Sequence, residues 1–540
     1  MKKLFYLLFL INTHLFSQEN KPKLIIGLIV DQMRYDYINR FWDDFSDGGF
    51  KKIQFSGFNC KNASFRFIPT YTAPGHATIF TGTNPTNHGI IANNWYERDS
   101  DDYIYCVGDN QFKTIGSDND SGKKSPRKML TSTFGDELRL SSMFRSKVIG
   151  ISLKDRAAIL TAGHTANYAL WFDSESGNFV TSSYYISKLP VWLENFNNEN
   201  YCKKYLDKKW NLLLNPKKYD ESLNDNSSYE QPFKGEKNPK FPYDLKKISQ
   251  ENGLGTIKYT PYGNSLIFDL AKMVIKEEEL GNDDYTDLLS ISLSSTDYIG
   301  HKFGVDSKEI HDTYLRLDKD LDLFLIYLDE ILGIENILIF LTSDHGAVRS
   351  PSYLNDRKVP SGYFNADKPI NDLKEYLNNI YGFGNWIKTY GNTQIYLNRD
   401  LIFENFLDLS KIQTQCSNFL IKYDGIKNVI SANVIINNEF SEGNYRSIQQ
   451  GYNQKRSGDI LLILEPGWIE YEKLGTTHGS GYSYDQHVPL IWYGWDIKPG
   501  TTSDQISISD VAPTLSNILE ISFPNGTSGN KKIINIPFNE

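Results

Sequence analysis

The chain has 540 residues, 40% of them apolar, so it can bury a large core and exceeds one ordinary domain. A net charge of −9 argues against general affinity for nucleic acid, whose phosphate backbone is bound by clustered Lys and Arg. Four widely spaced cysteines with no CxxC pair argue against zinc held by thiolates.

Residues 1–17 read as a signal peptide: Met1-Lys2-Lys3 supplies the basic start, and residues 4–10 form an apolar run too short to span a bilayer. Cleavage is expected after Ser17, with no nearby cysteine for a lipid anchor and no later run suited to a membrane span. The mature chain, 18–540, is therefore expected to be exported, with the periplasm as its place. Residues 24–30 form a continuous apolar run ending in Asp31, the pattern of a parallel strand buried on both faces. Similar runs occupy 148–151, 288–293, 337–341, 460–464 and 489–493.

Residues 307–332 carry an apolar stripe at helical spacing, with Asp306 or Ser307 as cap and Gly333 as stop. Strands alternating with such helices predict an α/β fold, a mainly parallel sheet flanked by helices. Ligands of such sheets gather at the carboxyl ends of strands, where Asp31, Asp297 and Asp344 fall. Two stretches break the pattern, near 165–258 and 352–457, and are expected to be inserted cap regions over the active edge. The second contains helical patterns at 367–381 and 401–421. The lysine-rich stretch 203–247 is interleaved with Asp, Glu and Asn and reads as a solvated surface. In an oxidising compartment Cys60, Cys106, Cys202 and Cys416 allow one or two disulfides, with the pairing open.

Chemistry concentrates at a few points. In Asp297-Tyr298-Ile299-Gly300-His301 a carboxylate and an imidazole can reach one ion from a strand end and the loop beyond. Asp344 and His345 follow the next strand, either pointing apart to different ions or turned by the loop onto one. His478 sits in a glycine-punctuated loop, Thr476-Thr477-His478-Gly479-Ser480. With Asp31 the set comprises three carboxylates and three imidazoles, a mixture that suits zinc, whereas magnesium and calcium favour oxygen alone. Thr72 precedes Ala73-Pro74, and proline favours a helix's first turn. Thr72 is thus either an N-cap worth about 1 kcal/mol or a nucleophile at a helix N-terminus, where free N–H groups welcome phosphate. Taken singly, each residue has an ordinary role: an Asp at a strand end as a turn residue, an isolated His as a hydrogen-bonded side chain. His14, His76, His88, His164, His311 and His487 are assigned to that ordinary class.

Together and in order, Asp31-Gln32-Met33-Arg34, the Tyr71–Thr78 segment, Gly300-His301, Asp344-His345-Gly346 and Thr477-His478-Gly479 resemble the alkaline phosphatase superfamily. The likeness is greatest to the phosphate-irrepressible periplasmic bacterial type with a threonine nucleophile. It runs from about Leu24 to Gly529 and includes Asp510-Val511-Ala512-Pro513-Thr514. The resemblance implies one zinc held by Asp297, His301 and His478, and a second held by Asp31, Asp344, His345 and the Thr72 oxygen. It further implies that Asn93, Lys154 and Arg156 contact phosphate, although spacing alone would make the last pair a charged helix start.

The implied activity is hydrolysis of small-molecule phosphate monoesters to alcohol and phosphate through a phosphothreonine intermediate at a two-zinc site. The alternative is a nucleotide pyrophosphatase/phosphodiesterase, from which Lys154 with Arg156 discriminates, because a monoester leaves both cations a charged oxygen. A sulfatase is disfavoured, since no cysteine lies in a CxPxR-type sequence. A cofactor-independent phosphoglycerate mutase is disfavoured by the export signal and the threonine. No nucleic acid partner is expected, and the oligomeric state stays open, with a monomer favoured.

Overall fold

The computed structural model describes residues 21–527 and 533–538. The signal peptide expected at 1–17 and the far end of the family likeness, Gly529, lie outside the described residues.

Among the described residues ten strands form the main sheet. Its five central strands, Ile337–Thr342, Leu24–Val30, Asp287–Leu293, Val148–Ser152 and Tyr168–Phe172, are parallel neighbours in that order. Both faces are covered, which explains the uninterrupted apolar runs. Leu24, Ile26, Leu28 and Val30 enter one hydrophobic cluster, and Ile25 and Ile29 enter another. The helices Tyr262–Glu277 and Lys308–Leu332 contribute to the first cluster; Thr72–Thr81, Phe134–Ser141 and Val511–Ile518 contribute to the second. At the start of Lys308–Leu332 the Ser307 hydroxyl accepts the Ile310 N–H, and Gly333 ends the helix at φ 76°.

Two strand expectations need correction. Leu490–Gly494 runs antiparallel to Ile337–Thr342 rather than parallel. Ile460–Leu464 lies outside the main sheet altogether. It joins Ile387–Gly391, Gln394–Leu397 and Ile426–Ser431 in a four-stranded sheet with antiparallel pairing. Ile460 and Leu462 pack into one cluster and Leu461 and Ile463 into another. A strand buried on both faces gives the same apolar run in either sheet, so its sequence cannot assign it.

The helix expected over 401–421 is two helices, Arg399–Glu404 and Leu409–Leu420, parted at Phe406, which takes φ 55°. The stretch from 165 supplies main-sheet strands, Tyr168–Phe172 and Phe179–Ser182, before it becomes irregular. Any inserted region there is accordingly proposed to begin after Ser182. Within it Trp210, Tyr219, Phe233 and Tyr243 are buried against the first cluster, beneath the exposed lysines.

The disulfide expectation is also corrected: all four cysteines are free and buried. Cys60, Cys106, Cys202 and Cys416 sit in four different hydrophobic clusters, and no bond joins any two of them. Among the described residues no helix is long and apolar enough to cross a membrane.

Candidate active site

Adjacent parallel strands deliver the site's side chains to one edge. Asp31 directly follows Leu24–Val30, Asp344 lies just beyond Ile337–Thr342, and Lys154 just beyond Val148–Ser152. Asp297 differs from expectation, standing on the helix Ser295–Phe303 together with His301 rather than at a strand end and in a loop. Their i, i+4 spacing places them on one helical face, with Nε2 of His301 3.1 Å from Oδ1 of Asp297. Asp344 and His345 converge instead of diverging, with 3.4 Å between Oδ2 and Nε2.

Thr72 is not a cap. Tyr71, extended at φ −112° and ψ 164°, takes the N-cap position, and Thr72 opens the helix Thr72–Thr81 with its side chain free for other work. Its Oγ1 lies 3.5 Å from His345 Nε2 and accepts from Lys154 Nζ at 3.3 Å. One of the helix's leading N–H groups, that of Ala73, donates to Asn93 Oδ1 at 3.0 Å, which orients Asn93 beside Thr72.

The carboxylates and imidazoles form two groups whose ligand atoms lie within 4.8 Å of one another: Asp31 with Asp344 and His345, and Asp297 with His345 and His478. His345 thus belongs to both. His301 stands beside the second group, its ring centroid 5.1 Å from that of His478. All three imidazoles are oriented alike. Nδ1 of His301, His345 and His478 faces a backbone oxygen, of Thr476 at 2.8 Å, Gly346 at 3.0 Å and Thr70 at 2.7 Å. A carbonyl can only accept, so Nδ1 carries a proton, and in the neutral ring Nε2 then presents a lone pair to the site, the state a metal requires.

Electrostatics agree with that state. Burial holds His345 and His478 below the ordinary imidazole range, which favours the neutral ring. Burial, reinforced by Asp344, raises the Asp31 carboxyl well above its usual value. Burial opposes ionisation of Asp344 and Asp297 too, but His345 and His76 hold Asp344 low, and His301 and Lys154 hold Asp297 low. Two buried carboxylate oxygens, Asp31 Oδ1 and Asp344 Oδ2, have no hydrogen-bond partner. Such atoms are costly unless a cation accompanies them. The donor set and these oxygens fit bound metal.

Lys154 is 3% exposed and bridges the groups, donating to Asp31 Oδ2 at 2.7 Å and Asp297 Oδ2 at 2.6 Å. Arg156 donates to the Tyr105 hydroxyl at 3.3 Å and keeps a buried Nε without a partner. Both cations line a cavity of about 830 Å³ together with Asp297 and His301.

Two contributors were not singled out by their sequence. Gln32, at φ 63°, donates its backbone N–H to Asp344 Oδ1 at 3.2 Å and its amide to Asp297 Oδ1 at 2.8 Å, tying the groups together. His76, assigned above to the ordinary class, donates from Nδ1 to Thr72 O at 2.8 Å and approaches Asp344 Oδ2 at 3.3 Å. The i, i+4 pair Thr72 and His76 in a predicted helix was the available signal.

The helix reaches the Asp344 loop only because residue 75 is glycine: a Cβ there would stand 2.4 Å from Asp344 O and 2.9 Å from Asp344 Cβ. Gly75→Ala is expected to part Thr72 from Asp344 and His345, lowering kcat about 10²-fold and stability by about 1–3 kcal/mol. Steady-state kinetics and a urea midpoint check both.

Residues 25–488 match the type I phosphodiesterase / nucleotide pyrophosphatase family. A relative from Myroides odoratus named calcium-transporting ATPase is 44% identical over 513 residues, 94% of each chain. Alkaline phosphatase PafA of Elizabethkingia meningoseptica is 41% identical over 516 residues, covering 94% of this chain and 93% of the relative. The crystal structure of PafA superposes with a TM-score of 0.92, covering 96% of this chain and 99% of that one at 40% identity. A second PafA structure carries substitutions at a threonine, an asparagine, a lysine and an arginine, and superposes with a TM-score of 0.91.

Proposed function

The chain belongs to the type I phosphodiesterase / nucleotide pyrophosphatase family of the alkaline phosphatase superfamily, and we propose that it is an alkaline phosphatase hydrolysing phosphate monoesters through Thr72. The observation that carries this reading is the convergence of a buried, uncapped threonine hydroxyl with two carboxylate–imidazole groups and the Lys154 ammonium. The substituted residues of the second PafA structure have the types and chain order of Thr72, Asn93, Lys154 and Arg156, which supports giving these four the central roles.

In this reading Asp31, Asp344, His345 and the Thr72 oxygen would hold one zinc ion, and Asp297, His301 and His478 would hold the other. Bound there, zinc would lower the Thr72 hydroxyl's pKa and offset charge on the entering and leaving oxygens. Thr72 Oγ1 attacks phosphorus in line, the bond to the alcohol oxygen breaks, and water then cleaves the phosphothreonine. Asn93 offers its amide N–H groups, Lys154 its ammonium and Arg156 its fork to the nonbridging oxygens, where charge must be accommodated. His76 steadies the nucleophile's own carbonyl. We assign the enzyme to the periplasm on its first 17 residues alone.

The name calcium-transporting ATPase points to another activity for a similar chain. Its hydrolytic half needs nothing new here, because the terminal phosphoryl of a nucleoside triphosphate is itself a dianion attached through one oxygen.

The discriminating experiment compares an aryl phosphate, its methyl diester and an aryl sulfate. Arg156→Ala is expected to lower kcat/KM for the monoester by about 10²-fold or more, the scale for one preorganised transition-state contact. The diester, lacking one charged oxygen, should lose less. Lys154→Ala should do the same and also disturb the metal groups, since Lys154 bridges Asp31 and Asp297. A wild-type preference for the diester, or equal losses on both substrates, would replace this reading with the phosphodiesterase one.

A further inference from the structure

We infer that the cavity lined by Lys154 and Arg156 holds a second anion subsite, formed by Lys258 and Lys302, that selects monoesters whose leaving group bears another phosphate. The inference deepens the phosphomonoesterase reading and rests on it. The chain as a whole carries a net charge of −9, yet this cavity is lined by Lys154, Arg156, Lys234, Lys258 and Lys302 against one carboxylate, Asp297. That carboxylate is already engaged by Lys154, His301 and Gln32.

Neither Lys258 nor Lys302 belongs to an ion pair among the described residues. Lys302 Nζ donates to Pro232 O at 2.8 Å, which leaves two of its three N–H groups for a ligand. Lys258 Nζ lies 5.1 Å from the Tyr298 ring centroid, and Lys154 Nζ lies the same distance from that ring. The cation of the reacting phosphate and Lys258 therefore flank one side chain. The Tyr259 ring, 5.1 Å from Tyr298 and 5.9 Å from Lys302 Nζ, continues the path to the second lysine.

Burial, followed by repulsion from Lys154 and Arg156, holds Lys258 below the ordinary lysine range. The acids that face it are committed elsewhere: Asp155 to Tyr105 and Lys124, Asp173 to Asn119, Ser121 and Ser176. Glu472, the acid that acts on Lys302, accepts from Gln231, and crowded cations without a close counterion are costly unless an anion joins them. A monophosphate reaches Lys154 and Arg156; a second phosphate a few bonds away can reach Lys258 and Lys302.

The probes are propane-1,3-diol monophosphate and bisphosphate, which share a leaving-group chemistry and differ in the distal anion. Beyond the factor of about two for equivalent phosphates, wild type is expected to favour the bisphosphate about tenfold or more in kcat/KM, chiefly through KM. Lys258→Gln and Lys302→Gln should each remove most of that preference while leaving monophosphate turnover within about twofold. No wild-type preference, or equal loss on both probes in the variants, overturns the subsite. Phenyl phosphate separates the two readings: if wild type turns over neither it nor the diol phosphates, the phosphatase reading itself fails and the subsite with it.

Discussion

Thr72→Ala should lower kcat on an aryl phosphate by about 10⁴-fold or more, while Thr72→Ser keeps appreciable turnover. The Thr72 hydroxyl reaches His345 and Lys154, and serine retains it. Stability offers an independent reading of the same variants. A capping threonine would cost about 1 kcal/mol when truncated, but Tyr71 holds the cap position and the Thr72 side chain makes no capping bond. The alanine variant should therefore unfold at nearly the wild-type denaturant concentration despite its loss of rate. Acid quenching of wild type during turnover, followed by peptide mass spectrometry, should place phosphate on Thr72. Phosphate recovered on another residue, or an alanine variant with near-normal kcat, would remove Thr72 from the chemistry.

Much of this arrangement was legible because burial leaves a strong mark. Residues 24–30, 288–293 and 337–341 read as central strands from continuous apolar runs, and Asp31 and Asp344, just beyond two of them, fall at the edge that a parallel sheet reserves for ligands. The long helix was legible from its stripe and its cap. The same mark misled at Ile460–Leu464, where a second sheet buries both faces just as the first does.

Contacts that depend on backbone shape left no comparable trace. Gln32 acts through a left-handed backbone conformation, and the inward turn of His345 onto Asp344 follows from a loop. Lys154 shows how two readings can coexist. It occupies the N-cap position of the helix Asp155–Ala162, as a charged helix start would, and its ammonium still reaches Asp31, Asp297 and Thr72.

Purified protein should contain about two zinc ions per chain, lose activity completely on chelation and regain it with added zinc. Three carboxylates held within one buried site repel each other, so metal removal should also lower the melting temperature, a readout that does not pass through turnover. The histidines discriminate between assignments. The family resemblance gives His301 to one ion and His345 to the other, whereas the ligand atoms of His345 fall into both groups. If each ion has its own imidazoles, His301→Ala and His345→Ala should each lower zinc content by about one per chain. If His345 serves both, its alanine variant should lose about two, and His301→Ala should lose at most one. Asp344→Asn provides the reference for single loss, because Asp344 belongs to one group only. Metal analysis of the three variants, with melting curves for each, decides between the arrangements. Full activity in metal-free protein, or restoration by magnesium but not zinc, would refute the zinc assignment, since imidazole nitrogen at every site disfavours magnesium.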